Sequence, residues 1–204
     1  MRNLRSFSRF AAVGEVEGDE SLLTAAERAR RDRLVRPADR AAYVAAHLLV
    51  RECAAQLLGV DAGEIELRQR CASCGSERHG APYVAGILLP LHVSLSHAAG
   101  HVAAVAAHAP CGIDVETARS APPPRGVLSG PEEAWVAGEA DAGRAFTRLW
   151  VRKEALVKAG AGSLEKADTV DVLAGGRPSD RASGFVLQEW SDGAAVGICA
   201  LRGC

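Results

Sequence analysis

The chain has 204 residues, 48 % of them apolar and 24 % charged, and a formal net charge of −1. That length buries a core in one large domain or two small ones, and the near-neutral balance gives no bulk pull toward nucleic acid or membrane. No apolar run approaches the roughly 18 to 20 residues a membrane helix needs.

Arg2, Arg5 and Arg9 interrupt any apolar leader core, so a secretory signal is not expected. The six cysteines do not make a disulfide scaffold; Cys53 and Cys199 sit in apolar stretches and read as core thiols of a chain in a reducing cytoplasm.

Residues 1–20 show no clear period. Thr24, with Glu27 three residues on, has the capping-box spacing and predicts a helix to about Leu34. Pro37 suits the first turn of the next helix, whose stripe of Ala41, Val44, Ala45, Leu48, Leu49 and Ala55 ends at Gly59. Residues 64–68 alternate as a short strand, and 70–82 read as a polar loop. Residues 91–96 and 101–107 predict a hairpin turning at Ala98–Gly100, with a third strand at Cys111–Glu116 continuing the meander. Pro122, Pro123, Pro124 and Gly126 mark 117–130 as a long loop. Helices are expected near 131–139 and 144–160, and weak strands near 168–173, 184–190 and 194–201. Helix-then-strands occurs twice, with a change near residue 108, which predicts two α+β halves, 1–107 and 108–204.

Three short segments carry chemistry. In Gly112-Ile113-Asp114-Val115-Glu116 the strand period puts both carboxylates on one face, with Gly112 leaving room there for a ligand. Oxygen ligands of this kind suit Mg²⁺; taken alone, the pentapeptide is equally a strand with a solvated face. In the segment WVRKEALVKAGAGSL, Trp150, Glu154 and Lys158 recur every fourth residue and share a helix face. A carboxylate and an ammonium one turn apart serve phosphoryl chemistry, or make an ordinary surface pair worth about 0.3–0.5 kcal/mol. Ser94-Leu95-Ser96-His97 closes a strand, and its hydroxyl and imidazole are candidates to meet a phosphate.

Arg28, Arg30, Arg31, Arg33, Arg36 and Arg40 face only Asp32 and Asp39 locally, a basic patch fit for a small polyanion and equally a solvated helix face. Aromatic residues, at 4 %, are too few to stack bases along a nucleic acid. The loop Cys71-x-x-Cys74-Gly-x-x-x-His79 has partial zinc-ligand spacing with no fourth ligand evident. A reduced loop, or a disulfide formed only on oxidation, is the expectation there, with no catalytic duty for either cysteine.

The three segments in this order, within residues 24 to 165, resemble the surfactin-type 4′-phosphopantetheinyl transferases. The resemblance implies two α+β halves related by a pseudo-twofold axis, with coenzyme A in the cleft between them, in a cytoplasmic monomer. It implies Mg²⁺ or Mn²⁺ on Asp114, Glu116 and Glu154, with Glu154 as base and Lys158 beside the pyrophosphate. Ser96 and His97 look like coenzyme A phosphate contacts, and Arg28 and Arg30 fall near the basic residues for the 3′-phosphate. In the meander, His97 is expected beside the carboxylate strand. The implied reaction moves phosphopantetheine from coenzyme A to a serine of an acyl or peptidyl carrier protein and releases 3′,5′-adenosine bisphosphate. Neither nucleic acid nor membrane is an expected partner. One departure stands out: the family's Gly-Lys-Pro is Gly80-Ala81-Pro82 here, so a charged contact to coenzyme A is missing or moved.

Overall fold

The computed structural model describes residues 6–71, 73–118 and 126–203. Arg2, Arg5 and the run Pro122–Pro124 lie outside them. The chain divides into two units, the first ending at Pro110 and the second starting at Cys111.

The first unit opens with a strand that the sequence does not announce, β1 (Ser6–Ala12). It is followed by α1 (Ala25–Arg31), α2 (Pro37–Leu58), β2 (Leu67–Arg70), β3 (Ala81–Val84), β4 (His92–Ala98) and β5 (His101–Ala107). β5 lies between β1 and β4, antiparallel to both. Alternation puts Val93, Val102, Ala104 and Ala106 on the face that meets Leu49, Val50 and Cys53 of α2. The predicted capping box is present: Glu27 N–H donates to Thr24 Oγ1 at 3.2 Å, and Thr24 N–H donates to the Glu27 carboxylate at 2.6 Å. The same carboxylate takes a two-pronged ion pair from Arg51, at 2.7 and 3.1 Å, which ties α1 to α2. Arg51, with no role legible in the sequence, is therefore a buried brace between helices. β3 lies at the end of the segment expected to be loop and pairs with β2 from Leu67↔Val84 to Arg70↔Ala81.

The second unit holds β6 (Cys111–Thr117), α3 (Gly130–Gly138), α4 (Ala142–Lys158), a 3-10 stretch at Leu164–Thr169, and then β7 (Leu173–Ala174), β8 (Arg177–Pro178), β9 (Arg181–Ala182), β10 (Phe185–Ser191) and β11 (Ala195–Arg202). The sheet order is β6-β11-β10-β9. Phe146, Leu149 and Leu156 of α4 share a core with Leu187, Val196 and Ile198 of the sheet.

Both units mix helices with antiparallel sheet, so the α+β reading holds. The meander does not. β6 pairs with β11 rather than β5, so His97 and Asp114 stand in different sheets and the expected neighbourhood through strand pairing is absent. The strand expected at 168–173 is replaced by the end of the 3-10 stretch at Asp168–Thr169 and irregular backbone, with only Leu173 in a strand. No helix of the described residues is long and apolar enough to cross a membrane.

Candidate active site

The second unit gathers most of the acidic candidates. In β6, Gly112, Asp114 and Glu116 lie opposite Ala200, Ile198 and Val196 of β11, so they share the sheet face that α4 covers. Gly112 was expected to make room for a ligand. It makes room for the helix instead: a Cβ there would sit 2.1 Å from the Ala155 carbonyl oxygen and 2.6 Å from Ala159 N. α4 thus rests its backbone directly on β6, and that approach brings its last turns over Asp114.

Asp114 is 2 % exposed. Lys158 reaches it from α4, with Nζ 2.7 Å from Oδ1. Glu154, one turn earlier, has its carboxylate 3.9 Å from the same ammonium. Two carboxylates therefore flank one lysine. Burial first, and then the charge of Asp114, push the Glu154 carboxyl above its ordinary value, and Lys158 offsets only part of this. Glu116 lies two residues further along the same face and is half-buried. The carboxylates outnumber the ammonium that balances them, and all their donors are hard oxygens. This set fits a small divalent cation such as Mg²⁺.

The helix is anchored along its length. Asp141 caps it, accepting from Arg144 N–H at 2.9 Å, and Trp150 stacks on Phe146. Sequence reasoning missed its strongest anchor. Lys153, fully buried, pairs with buried Glu132 of α3 at 2.7 Å and donates to the carbonyls of Ala167 and Val170, each at 2.7 Å. Only the tertiary fold brings these groups together, so spacing along the chain gave no signal for the pair.

Residues 110–191 match the 4′-phosphopantetheinyl transferase superfamily. The match runs from the residue before β6 through β10 and contains Asp114, Glu116, Glu154 and Lys158. It indicates an enzyme, a 4′-phosphopantetheinyl transferase, whose superfamily acts on carrier proteins with coenzyme A. No curated protein matches the chain.

In the first unit, β4 runs on through Ala98, so Ser96 and His97 lie within a strand rather than at a turn. Consecutive strand residues face opposite ways. His97 is exposed on the α2 side with Val93 and Leu95, whereas Ser96 is buried on the other side. Their side chains therefore do not converge on one phosphate. The Arg28 guanidinium donates to the Leu23 carbonyl, Arg31 pairs with Glu20 and Asp32, and Arg40 caps the Val35 carbonyl. Arg30, Arg33 and Arg36 are exposed, and their hydrogen bonds are made by the backbone: Arg33 N–H donates to the Arg30 carbonyl, and the Arg36 carbonyl accepts from Arg40 N–H.

The sequence also gave no warning of a cavity of about 280 Å³ lined by Thr24, Glu27, His47, Leu67, Gln69 and Glu77. His47 stacks on Tyr43 and contacts the Tyr43 carbonyl through Nδ1 at 2.8 Å. Burial pushes its pKa down to about 4. The available signal was a histidine within an apolar helical run. Elsewhere in this unit, Cys71, Cys74 and His79 bring their ligand atoms within 4.8 Å of one another.

Proposed function

We propose that this transferase is of the surfactin type and moves the phosphopantetheine arm of coenzyme A onto a serine hydroxyl of an acyl or peptidyl carrier protein. The observation that carries the reading is the 2.7 Å contact of Lys158 with buried Asp114, with Glu154 one turn away and all three inside the matched span.

The serine oxygen forms a bond to the β-phosphorus of coenzyme A, and the bond from that phosphorus to the bridging oxygen breaks. The leaving group is 3′,5′-adenosine bisphosphate. Glu154 takes the serine proton, directly or through a water; its raised pKa makes it a better base than an ordinary carboxylate. Lys158 faces the charge that develops on the leaving phosphate. Asp114, Glu116 and Glu154 hold Mg²⁺ or Mn²⁺, which supplies positive charge to the pyrophosphate oxygens when bound.

Arg28, Arg30, Ser96 and His97 of the first unit are the candidate coenzyme A contacts in this reading. The enzyme works as a cytoplasmic monomer on polyketide, nonribosomal-peptide or fatty-acid carriers. The test is mass spectrometry of apo carrier proteins incubated with enzyme, coenzyme A and Mg²⁺. A mass gain of one phosphopantetheine, lost with excess EDTA, is expected. Unchanged carrier mass across all three carrier classes overturns the reading, and full turnover in EDTA overturns the metal assignment alone.

A further inference from the structure

Away from the carboxylates, the loop 71–80 between β2 and β3 is built around sulfur. Cys74 Sγ and His79 Nε2 lie 3.4 Å apart. A tetrahedral zinc ion, with Zn–S about 2.3 Å and Zn–N about 2.0–2.1 Å, holds such a pair roughly 3.6 Å apart. Cys71 Sγ completes a triangle with no edge longer than 4.8 Å. Three ligand atoms thus already sit near the spacing of three corners of one coordination tetrahedron.

The backbone supports that arrangement. Cys71 sulfur accepts hydrogen bonds from the backbone N–H groups of Cys74 and Ser73, and these hold its thiol below the ordinary value. Gly75 N–H donates to the Cys71 carbonyl, and Cys71 N–H to the Ser76 carbonyl, both at 2.9 Å. Gly75 makes this turn at φ +69°, where a side chain would be strained. At the base of the loop, a Cβ on Gly80 would sit 2.2 Å from the Arg70 carbonyl oxygen, so the two ends close tightly on each other.

We propose that Cys71, Cys74 and His79 form a zinc site, with water in the fourth position. Two thiolates and an imidazole select zinc over magnesium, so this site is chemically separate from the carboxylates on α4 and β6. Binding releases the thiol protons and leaves both sulfurs reduced. It fixes the loop that carries Glu77 to the rim of the first-unit cavity. Oxidation of the two cysteines to a disulfide excludes the ion. The proposal is independent of the transfer reaction and stands or falls without it.

The experiment uses the full chain, reduced, freed of metal and held in excess Mg²⁺ to fill the carboxylates. Titration with Co²⁺ is expected to saturate at one ion per chain. It should show sulfur-to-cobalt charge-transfer absorption and the intense d–d bands of a tetrahedral site, both bleached by Zn²⁺. Cys71→Ser with Cys74→Ser removes the absorption, and His79→Ala weakens binding while keeping thiolate absorption; circular dichroism checks that each variant folds. Should the double variant fail to fold, the wild-type protein decides: Zn²⁺ slows alkylation of Cys71 and Cys74 by iodoacetamide about ten-fold or more, as located by peptide mass. No sulfur-to-cobalt band at one equivalent, or alkylation indifferent to Zn²⁺, overturns the site.

Discussion

Glu154 is held where ionisation is disfavoured, and that position has two measurable consequences. Replacing it with glutamine keeps the shape and removes both the proton acceptor and the metal donor of the proposed reaction. Carrier modification is expected to fall about 10²-fold or more, with an unchanged circular dichroism spectrum. Activity within a few-fold of wild type removes Glu154 from the reaction. The second consequence concerns stability. A carboxyl raised in the folded state contributes most below the unfolded value, 4.5, and that contribution is lost as pH rises through the raised value. In metal-free buffer at neutral pH the Glu154→Gln variant should therefore melt above wild type, and the two should converge at about pH 4 and below. A variant that melts below wild type at neutral pH contradicts the burial and charge argument.

At the scale of the element, α4 is the part that must not move. The missing side chain at Gly112 sets its height over β6, and Arg148 and Arg152 pair with Glu189 of β10. Lys153 binds it to α3 and to the 167–170 segment. Lys153→Met leaves Glu132 buried without its counter-charge, at a cost of about 3–5 kcal/mol. That lowers the calorimetric melting temperature by roughly 6–20 °C in a chain of this length. Adding Glu132→Gln should recover part of the loss, because Gln removes the buried charge and keeps one oxygen, enough for one of the Ser129 and Val172 N–H groups that Glu132 now serves with separate oxygens. A single variant as stable as wild type shows that the pair contributes nothing net. The 3-10 stretch has the same origin. The sequence at 168–173 suggests a strand, but the carbonyls of Ala167 and Val170 turn onto Lys153, a buried charge 14 and 17 residues back.

Across the molecule, what was legible followed from local pattern, and what was hidden depended on distant partners. α2, bounded by Pro37 and Gly59, and the β4–β5 hairpin stand where period and turn residues put them. β1 was hidden because Arg9 occupies its core-facing row and breaks the alternation; Glu52 of α2 meets that arginine with both oxygens at 2.8 Å. The shared face of Asp114 with Glu116 and that of Glu154 with Lys158 were legible from spacing, whereas the contact of Lys158 with Asp114 and the burial of His47 needed the fold. That burial sets an acid limit on stability. With Tyr43, Glu27, Arg51 and His97 around it, His47 stays neutral down to about pH 4, while the unfolded chain takes up its proton near 6.5. Stability therefore falls as pH drops through that window, by on the order of 3 kcal/mol. His47→Gln should flatten the urea-midpoint profile there, and an unchanged profile refutes the assignment. Glu27 acts lower: burial opposes its ionisation, but Arg51 holds it below 4.5, so its loss begins only under that value. On the proposed reading, charge balance also shapes how this site would meet a metal ion. The ammonium of Lys158 is a tethered cation already seated against Asp114, and no dialysis removes it. An incoming ion must win an exchange with a permanent tenant rather than fill a void. Its apparent affinity would then report how easily that tenant steps aside.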